Sequence, residues 1–289
     1  MITGPDRLLP VHLADRARAH AASGAPVAPP RDAATIALLR DAAGGLEVYV
    51  LRRVATMAFA SGMHVFPGGT VDPRDLDHET GWVGPTPAAW AERFGVDEER
   101  ARGLVLAAVR ETFEESGILL AGVRDAHADS ASRGVVADTG GEDWEADRQA
   151  LIDRTSSFSA MLERRGLVVR ADLMRAWARW VTPEFEPRRY DTAFFVAAVP
   201  TGQRTRAVGG EADRVAWARP AEALAALAAG DVHMLPPTAV VLGEISEHDS
   251  VEAVMRVADD RRITTILPRP VLDAGVPHVV LPGEPGYDR

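Results

Sequence analysis

Residues 98–116 place apolar side chains at helical spacing, Leu104, Ala107, Ala108 and Phe113 among them, and run into Arg110-Glu-Thr-Phe-Glu-Glu-Ser-Gly117. This spacing predicts a long helix, with Gly117 as its C-cap. On that helix Glu111, Glu114 and Glu115 fall at i, i+3 and i+4, so three carboxylates share one face. Like charges at that spacing repel by roughly a few tenths of a kcal/mol per pair. They also stand at the C-terminal end, where the macrodipole disfavours anions. Two readings fit the triplet by itself. One is a solvated acidic face, partly compensated by Arg110. The other is a cluster that holds a hard divalent cation such as Mg²⁺ through oxygen ligands.

The rest of the chain reads as a mixture of strands and helices. Residues 34–40 form an apolar run expected to be a strand buried on both faces, and a Gly-containing turn leads to a second strand at 46–53, so a hairpin is expected. Residues 64–66 read as a short strand ending at Pro67-Gly68-Gly69. A short helix is expected near 87–94. Further helices fit 156–165, 171–179, 220–229, 236–246 and 250–258, and strands fit 179–181, 191–199 and 215–217. The irregular order favours an α/β or α+β layered fold over a regular parallel alternation. With 289 residues, 46% of them apolar, the chain is long enough to bury a sizeable core.

Composition removes several chemistries. The 32 Lys and Arg are all Arg, and there is no Cys. This excludes a Schiff-base lysine, a Gly-Lys-Ser/Thr phosphate loop, a thiolate nucleophile and any Cys-ligated metal centre. The net charge of 32 − 42 = −10 disfavours a partner as anionic as extended nucleic acid. Arginine remains as the one fixed fork for gripping phosphate.

The carboxylate helix has a companion about 40 residues upstream, Phe66-Pro67-Gly68-Gly69. Paired glycines let the backbone approach a ligand closely. Together the two segments resemble the Nudix box, Gly-x5-Glu-x7-Arg-Glu-U-x-Glu-Glu-x-Gly-U, where U is aliphatic. Gly69 fits the opening glycine, and Arg110, Glu111, Glu114, Glu115, Gly117 and Ile118 fit the second half in register. The first Glu position falls on Asp75, Thr112 replaces an aliphatic residue, and 34 residues separate Asp75 from Arg110 where the family has seven. A long insertion inside the box resembles the Nudix subgroup of the peroxisomal acyl-coenzyme A diphosphatase and its bacterial relatives. Residues 57–69, Trp180-Val-Thr-Pro183 and residues 189–195 point the same way.

The resemblance implies a Nudix α/β/α sandwich with a mixed sheet, insertions at about 76–103 and 122–170, and a helical C-terminal extension. Residues 1–33 would be an arm, 34–260 the domain and 261–289 a tail. It implies hydrolysis of a diphosphate linkage with Mg²⁺ or Mn²⁺. Glu114 and Glu115 would be direct metal ligands, Glu111 a further ligand or an aid to the attacking water, and the Gly69 carbonyl a contributor to the shell. Arg110 would orient the carboxylates, with Asp75 as its candidate partner. A distal base or ligand is expected at Glu211 or Asp213, in a Gly-rich loop. Arg52, Arg53, Arg188 and Arg189 are candidates for gripping substrate phosphates, against the plainer reading of solvated surface charges. Trp180, Tyr190, Phe194 and Phe195 could stack on a base or line an acyl cavity, but Phe194 and Phe195 point to opposite faces of a strand, so one of them belongs to the core. Trp82, Trp90 and Trp144 read as anchors of the insertions, and His64 as a structural hydrogen-bonding group.

Three functions compete: a diphosphatase acting on coenzyme A, an acyl-coenzyme A or a related nucleotide; a pyrophosphatase for a dinucleotide such as NADH or ADP-ribose; and a non-catalytic nucleotide sensor. A binder would be expected to lose one of the repelling carboxylates. The partner expected is a small nucleotide diphosphate rather than nucleic acid or membrane, and a homodimer stays open. Acids interrupt the first twenty residues, no stretch nears the roughly 18–20 apolar residues of a membrane span, and the C-terminus is not Ser-Lys-Leu. Cytoplasmic location is the expectation.

Overall fold

The computed structural model describes residues 8–53, 62–76, 80–123, 134–206, 212–272 and 276–287. Its centre is strand β1 (Arg31–Ala42), whose side chains are buried from Ala33 to Leu39. A run with no polar alternation suits a strand covered on both faces. Strand β2 (Gly45–Arg53) returns as the expected hairpin, pairing Leu39 with Val48 and Ala42 with Gly45. Strand β9 (Tyr190–Ala198) runs parallel to β1 along its other edge, Arg31 with Tyr190 through Leu39 with Ala198. Strand β8 (Met174–Val181) lies antiparallel to β9, β10 (Ala212–Ala218) antiparallel to β2, and β11 (Thr265–Ile266) parallel to β8. The sheet is therefore mixed, in the order β10-β2-β1-β9-β8-β11.

Alternate side chains of β1 enter two different cores. Ala34, Ile36 and Leu38 pack with Trp90, Phe94, Leu104 and Phe113 from helices α2 (Pro87–Phe94) and α3 (Glu98–Ser116). Ala37 and Leu39 pack with Val241, Leu242, Ile245, Val254 and Ala258 from α7 (Pro236–Ile245) and α8 (Val251–Asp260). The expected α/β/α sandwich with a mixed sheet is borne out. Phe195 lies in the first core, edge-on to Trp90 and Phe94, and Phe194 in the second, as the strand period requires.

Both helices over the first core carry the caps that their sequences supply. Thr86 accepts from the Ala89 N–H before α2 and Asp97 from the Arg100 N–H before α3, at 3.2 and 2.8 Å. Gly95 and Gly117 close the two helices at φ 65° and 75°.

The two segments expected as insertions contain helices and strands. The first contributes β5 (Trp82–Val83) and α2; the second contributes α4 (Glu142–Ile152) and α5 (Phe158–Arg164). Strand β7 (Leu167–Arg170) then joins β5 and β6 (Ala121–Val123) in a separate three-stranded sheet. Their tryptophans fasten them down. Trp90 is in the core, Trp82 donates to the Pro85 carbonyl, and Trp144 meets Phe113 edge-on beneath the Arg165 guanidinium. Residues 171–179, expected to be helical, are instead a short 3₁₀ turn leading into β8. Their apolar spacing suits either period. The place beside β9, with a bulge between Ala176 and Ala178, decides for strand.

Helix α1 (Val11–Ser23) lies within the N-terminal stretch read as an arm. The Leu9 N–H donates to the Pro277 carbonyl, which brings this stretch beside the hairpin of β12 (Arg269–Val271) and β13 (His278–Val280). Among the described residues no helix is long and apolar enough to cross a membrane.

A charged knot ties β1, β8, β9 and the start of α3 together. Asp191, 7% exposed, accepts from Arg179 Nε and Nη2 at 2.9 and 2.7 Å and from Arg100 Nη2 at 2.6 Å; Arg100 Nε also reaches Asp32 at 2.8 Å. Burial alone would raise the Asp191 pKa, but the two guanidiniums outweigh it and hold the carboxyl below its ordinary value. A carboxyl lowered in the folded state adds stability above its unfolded pKa of about 3.9 and loses it as pH falls through the folded value. Asp191→Asn is expected to lower stability at pH 7 by about 2 to 3 kcal/mol, less than a fully buried pair because Arg100 reaches solvent. In denaturant titrations its gap from wild type should close as pH drops below about 4.

Candidate active site

The outer edge of β1 is shared. Strand β2 pairs with residues 39–42, and β4 (Gly68–Thr70) pairs with residues 33–35. Between them runs Phe66-Pro67, whose carbonyls meet the Thr35 hydroxyl, Pro67 at 2.6 Å; the Pro67 oxygen also accepts from the Ile36 N–H. Both glycines that follow allow a close approach. A Cβ on Gly68 would overlap Ala34 and Thr35, and one on Gly69 would overlap the Glu111 carboxylate. Thus the strand that opens with two glycines is pressed between the central strand and the last turns of α3.

Most of α3 is buried, including Arg110 and Glu115 at 9% and 6% exposure. Arg110 Nη1 donates to Glu111 Oε1 at 2.8 Å and Glu114 Oε1 at 3.1 Å, while Nη2 donates to the Thr70 carbonyl at 3.0 Å. The Gly68 N–H donates to Glu115 Oε2 at 2.8 Å. The guanidinium therefore bridges two of the carboxylates, and the glycine turn grips the third.

The carbonyl end of α3 is covered as well. Arg148 Nη1, from α4, donates to the Glu114 carbonyl at 2.6 Å, and its other donors clasp Glu145. The Arg206 N–H donates to the Ser116 carbonyl at 2.9 Å, and its guanidinium also reaches Glu145. Positive groups here oppose the negative pole of the helix. Tyr49 from β2 donates to the Glu115 carbonyl at 3.4 Å; burial, and then the Glu115 charge, push its phenol above its ordinary pKa, so it stays protonated. Thr112 is fully buried where the motif has an aliphatic residue, and its hydroxyl finds no hydrogen-bond partner among the described residues.

The carboxylate turn and the two glycines line one end of a cleft of about 640 Å³. Gly68, Gly69, Arg110, Glu111, Glu114 and Glu115 are at that end. Leu9, Leu13, Trp180, Phe185, Phe194, Leu235 and Leu281 make much of the remainder apolar, with Tyr190 and Thr192 among them. Trp180, Tyr190 and Phe194 are thus brought to the cleft, and Phe195 is not.

Two of the arginines singled out from the sequence do not line the cleft. Arg189 is buried, with its guanidinium bound to the carbonyls of Thr182 and Ala28 at 3.0 and 2.7 Å, away from the cleft lining. Arg52 pairs along β2 with His64 and Arg214 and does not line the cleft either. The backbones of Arg53 and Asp213 belong to β2 and β10, and that of Asp75 to a 3₁₀ turn, Pro73–Leu76. Glu211 lies outside the described residues. The His64 N–H donates to the His233 carbonyl at 2.7 Å, a structural bond. Two cleft-lining arginines were missed, Arg74 and Arg154, because no local pattern marks them.

The donor set suits a divalent cation in kind: three carboxylates on one turn, with the bare Gly69 backbone against them. In the arrangement seen, Arg110 stands between Glu111 and Glu114, and among the described residues no three acidic or imidazole groups close on a common metal-binding point.

The family model of the NUDT19 Nudix domain matches residues 101–245, half of the chain. A crystal structure of a NUDIX hydrolase from Alicyclobacillus acidocaldarius is 30% identical, with a TM-score of 0.62, over 80% of this chain and 97% of that one.

The chain belongs to the Nudix hydrolases.

The acyl-coenzyme A diphosphatase NUDT19 of Gallus gallus is 26% identical over 279 residues, 81% of this chain and 72% of that one. The Xenopus laevis protein of the same name is 25% identical, over 66% of this chain and 57% of that one. The expected fold family and enzyme class, a Nudix diphosphatase, are borne out. Nudix hydrolases generally use divalent metal ions.

In this Nudix hydrolase the obstacle to a side chain at Gly69 is the tip of Glu111, which can swing aside. Gly69→Ala is therefore expected to keep its melting temperature within about 4 °C of wild type, equivalent to less than roughly 1 kcal/mol. Its turnover is expected to fall at least tenfold, measured as phosphate product released from a diphosphate substrate. Full activity would show that the placement of Glu111 against Gly69 is immaterial.

Proposed function

We propose that the chain hydrolyses the diphosphate of coenzyme A, an acyl-coenzyme A or a related nucleotide, with Mg²⁺ or Mn²⁺. The observation that supports this reading is the joining of an all-carboxylate turn to a large apolar compartment in one cleft. A plain dinucleotide has a polar group at both ends. A coenzyme A-type substrate has a long, weakly polar arm, which such a lining accommodates. The diphosphatases of chicken and frog named above point to the same substrate class.

In this reading Glu114 and Glu115 hold the cation, with Glu111 as a further ligand or as the group that orients the attacking water. The Gly69 carbonyl contributes to the shell. The bound cation would neutralise the diphosphate and lower the pKa of water. Arg110 keeps Glu111 and Glu114 in register and offsets part of the negative charge of the turn, and a divalent ion would offset more. Water then attacks one phosphorus, the bridging P–O bond breaks, and the other phosphate leaves. Glu211 or Asp213 is proposed as the distal base. The apolar walls exclude bulk water from the reacting phosphorus.

Purified protein with Mg²⁺ or Mn²⁺ would be offered coenzyme A, NADH and ADP-ribose. Release of 3′,5′-ADP and 4′-phosphopantetheine is the expected outcome, with slower turnover of the other two. Preference for NADH or ADP-ribose would move the assignment to a dinucleotide, and nucleotide binding with no turnover would favour a sensor. Glu115→Gln is expected to lose at least about 100-fold in kcat, equal to roughly 2.7 kcal/mol of transition-state stabilisation, with the fold intact by circular dichroism. Near-full activity in that variant would overturn the metal assignment.

A further inference from the structure

Among the described residues the cleft lining contains three cations, Arg74, Arg110 and Arg154. Arg110 is engaged with the carboxylate turn. The other two come from different parts of the chain, Arg74 from the 3₁₀ turn after β4 and Arg154 from the end of α4, and they meet at Asp72. Arg74 clasps Asp72 through Nε and Nη2, at 3.0 and 2.9 Å, and this bond holds the Asp72 carboxyl down to about 2. Asp72 is thus ionised at any working pH and committed to Arg74. Arg154 stands off from it, at 3.8 Å, with its side chain 74% exposed.

The backbone here is unusual. Arg154 has φ 58°, and it is the one non-glycine residue at positive φ among the described residues. A left-handed conformation is unfavourable for a side-chain-bearing residue, and glycine is its default occupant. Arg74 Nη1 reaches the carbonyls of Arg154 and Ser156 at 3.4 and 3.3 Å, so the strained turn is also tethered to the segment that follows β4. An exposed guanidinium is therefore held on a fixed, strained turn at the cleft wall, where a glycine would sit more easily. Such outliers gather at ligand clamps.

We propose that Arg154, braced by Arg74, is a subsite for a phosphomonoester of the substrate, separate from the diphosphate that is cleaved. The inference rests on the coenzyme A reading of the same cleft, and extends it. Cations at the carboxylate turn attend to the scissile diphosphate. A second phosphate elsewhere on the molecule needs a fixed positive group of its own, and a guanidinium binds it through two parallel hydrogen bonds. This subsite would separate 3′-phosphorylated nucleotides from those that end in a bare ribose.

The test compares coenzyme A with 3′-dephospho-coenzyme A for wild type, Arg154→Ala, Arg154→Gly and Arg154→Lys. Wild type is expected to favour coenzyme A in kcat/KM. Arg154→Ala and Arg154→Gly should each cut that preference at least tenfold, mainly through KM for coenzyme A, and Arg154→Lys should restore part of it. Arg154→Gly relieves the φ strain, so its melting temperature should equal or exceed that of wild type, which separates loss of the guanidinium from loss of fold. Calorimetric binding of 3′,5′-ADP against 5′-AMP reads the same phosphate without turnover. Tighter binding of 3′,5′-ADP that vanishes in Arg154→Ala would support the subsite even if coenzyme A proved not to be cleaved, a result that would sink the substrate reading alone. Equal wild-type treatment of both pairs, or a preference untouched by Arg154→Ala, would overturn the proposal.

Discussion

Three carboxylates stand at the carbonyl end of a helix that is almost wholly buried. Every part of that arrangement is unfavourable by itself: like charges one turn apart, the negative helix pole, and little water to solvate either. The surrounding structure answers each term. Arg110 lies between Glu111 and Glu114, the Gly68 N–H holds Glu115, and Arg148 covers the Glu114 carbonyl. A divalent ion is the proposed further partner of the turn.

The fold can be seen as the means of bringing these groups together. The β1 edge passes from β4 to β2 at Phe66-Pro67, and this sets the two glycines against α3. Insertion α4 does more than lengthen the chain, since its Arg148 and the partner Glu145 close the end of the carboxylate helix. The turn that follows it then supplies Arg154 to the cleft wall. The N-terminal segment and β13, far apart in sequence, meet beside the cleft and complete its apolar half.

Much of this was legible because it is local. Helix α3 has a 3.6-residue period, an Asp cap before it and a Gly after it, and its carboxylates occur in one short register. Strands β1 and β9 showed as apolar runs. What escaped depends on contacts across long stretches of chain. The β8 segment has apolar spacing that a helix could use, and only its place beside β9 makes it a strand. Arg189 was a candidate for gripping phosphate, yet it is buried holding two carbonyls. Arg74 and Arg154 are separated by 80 residues, and nothing in either neighbourhood announces that they share Asp72.

The central claim is that the last turns of α3 hold a divalent cation. It is tested most directly by crystals grown with Mn²⁺ and measured for anomalous scattering. The expected result is a manganese peak coordinated by Glu114 or Glu115, with Arg110 drawn back from at least one of the carboxylates it now bridges. Manganese bound only elsewhere, with Glu111, Glu114 and Glu115 still held as they are by Arg110 and Gly68, would contradict it.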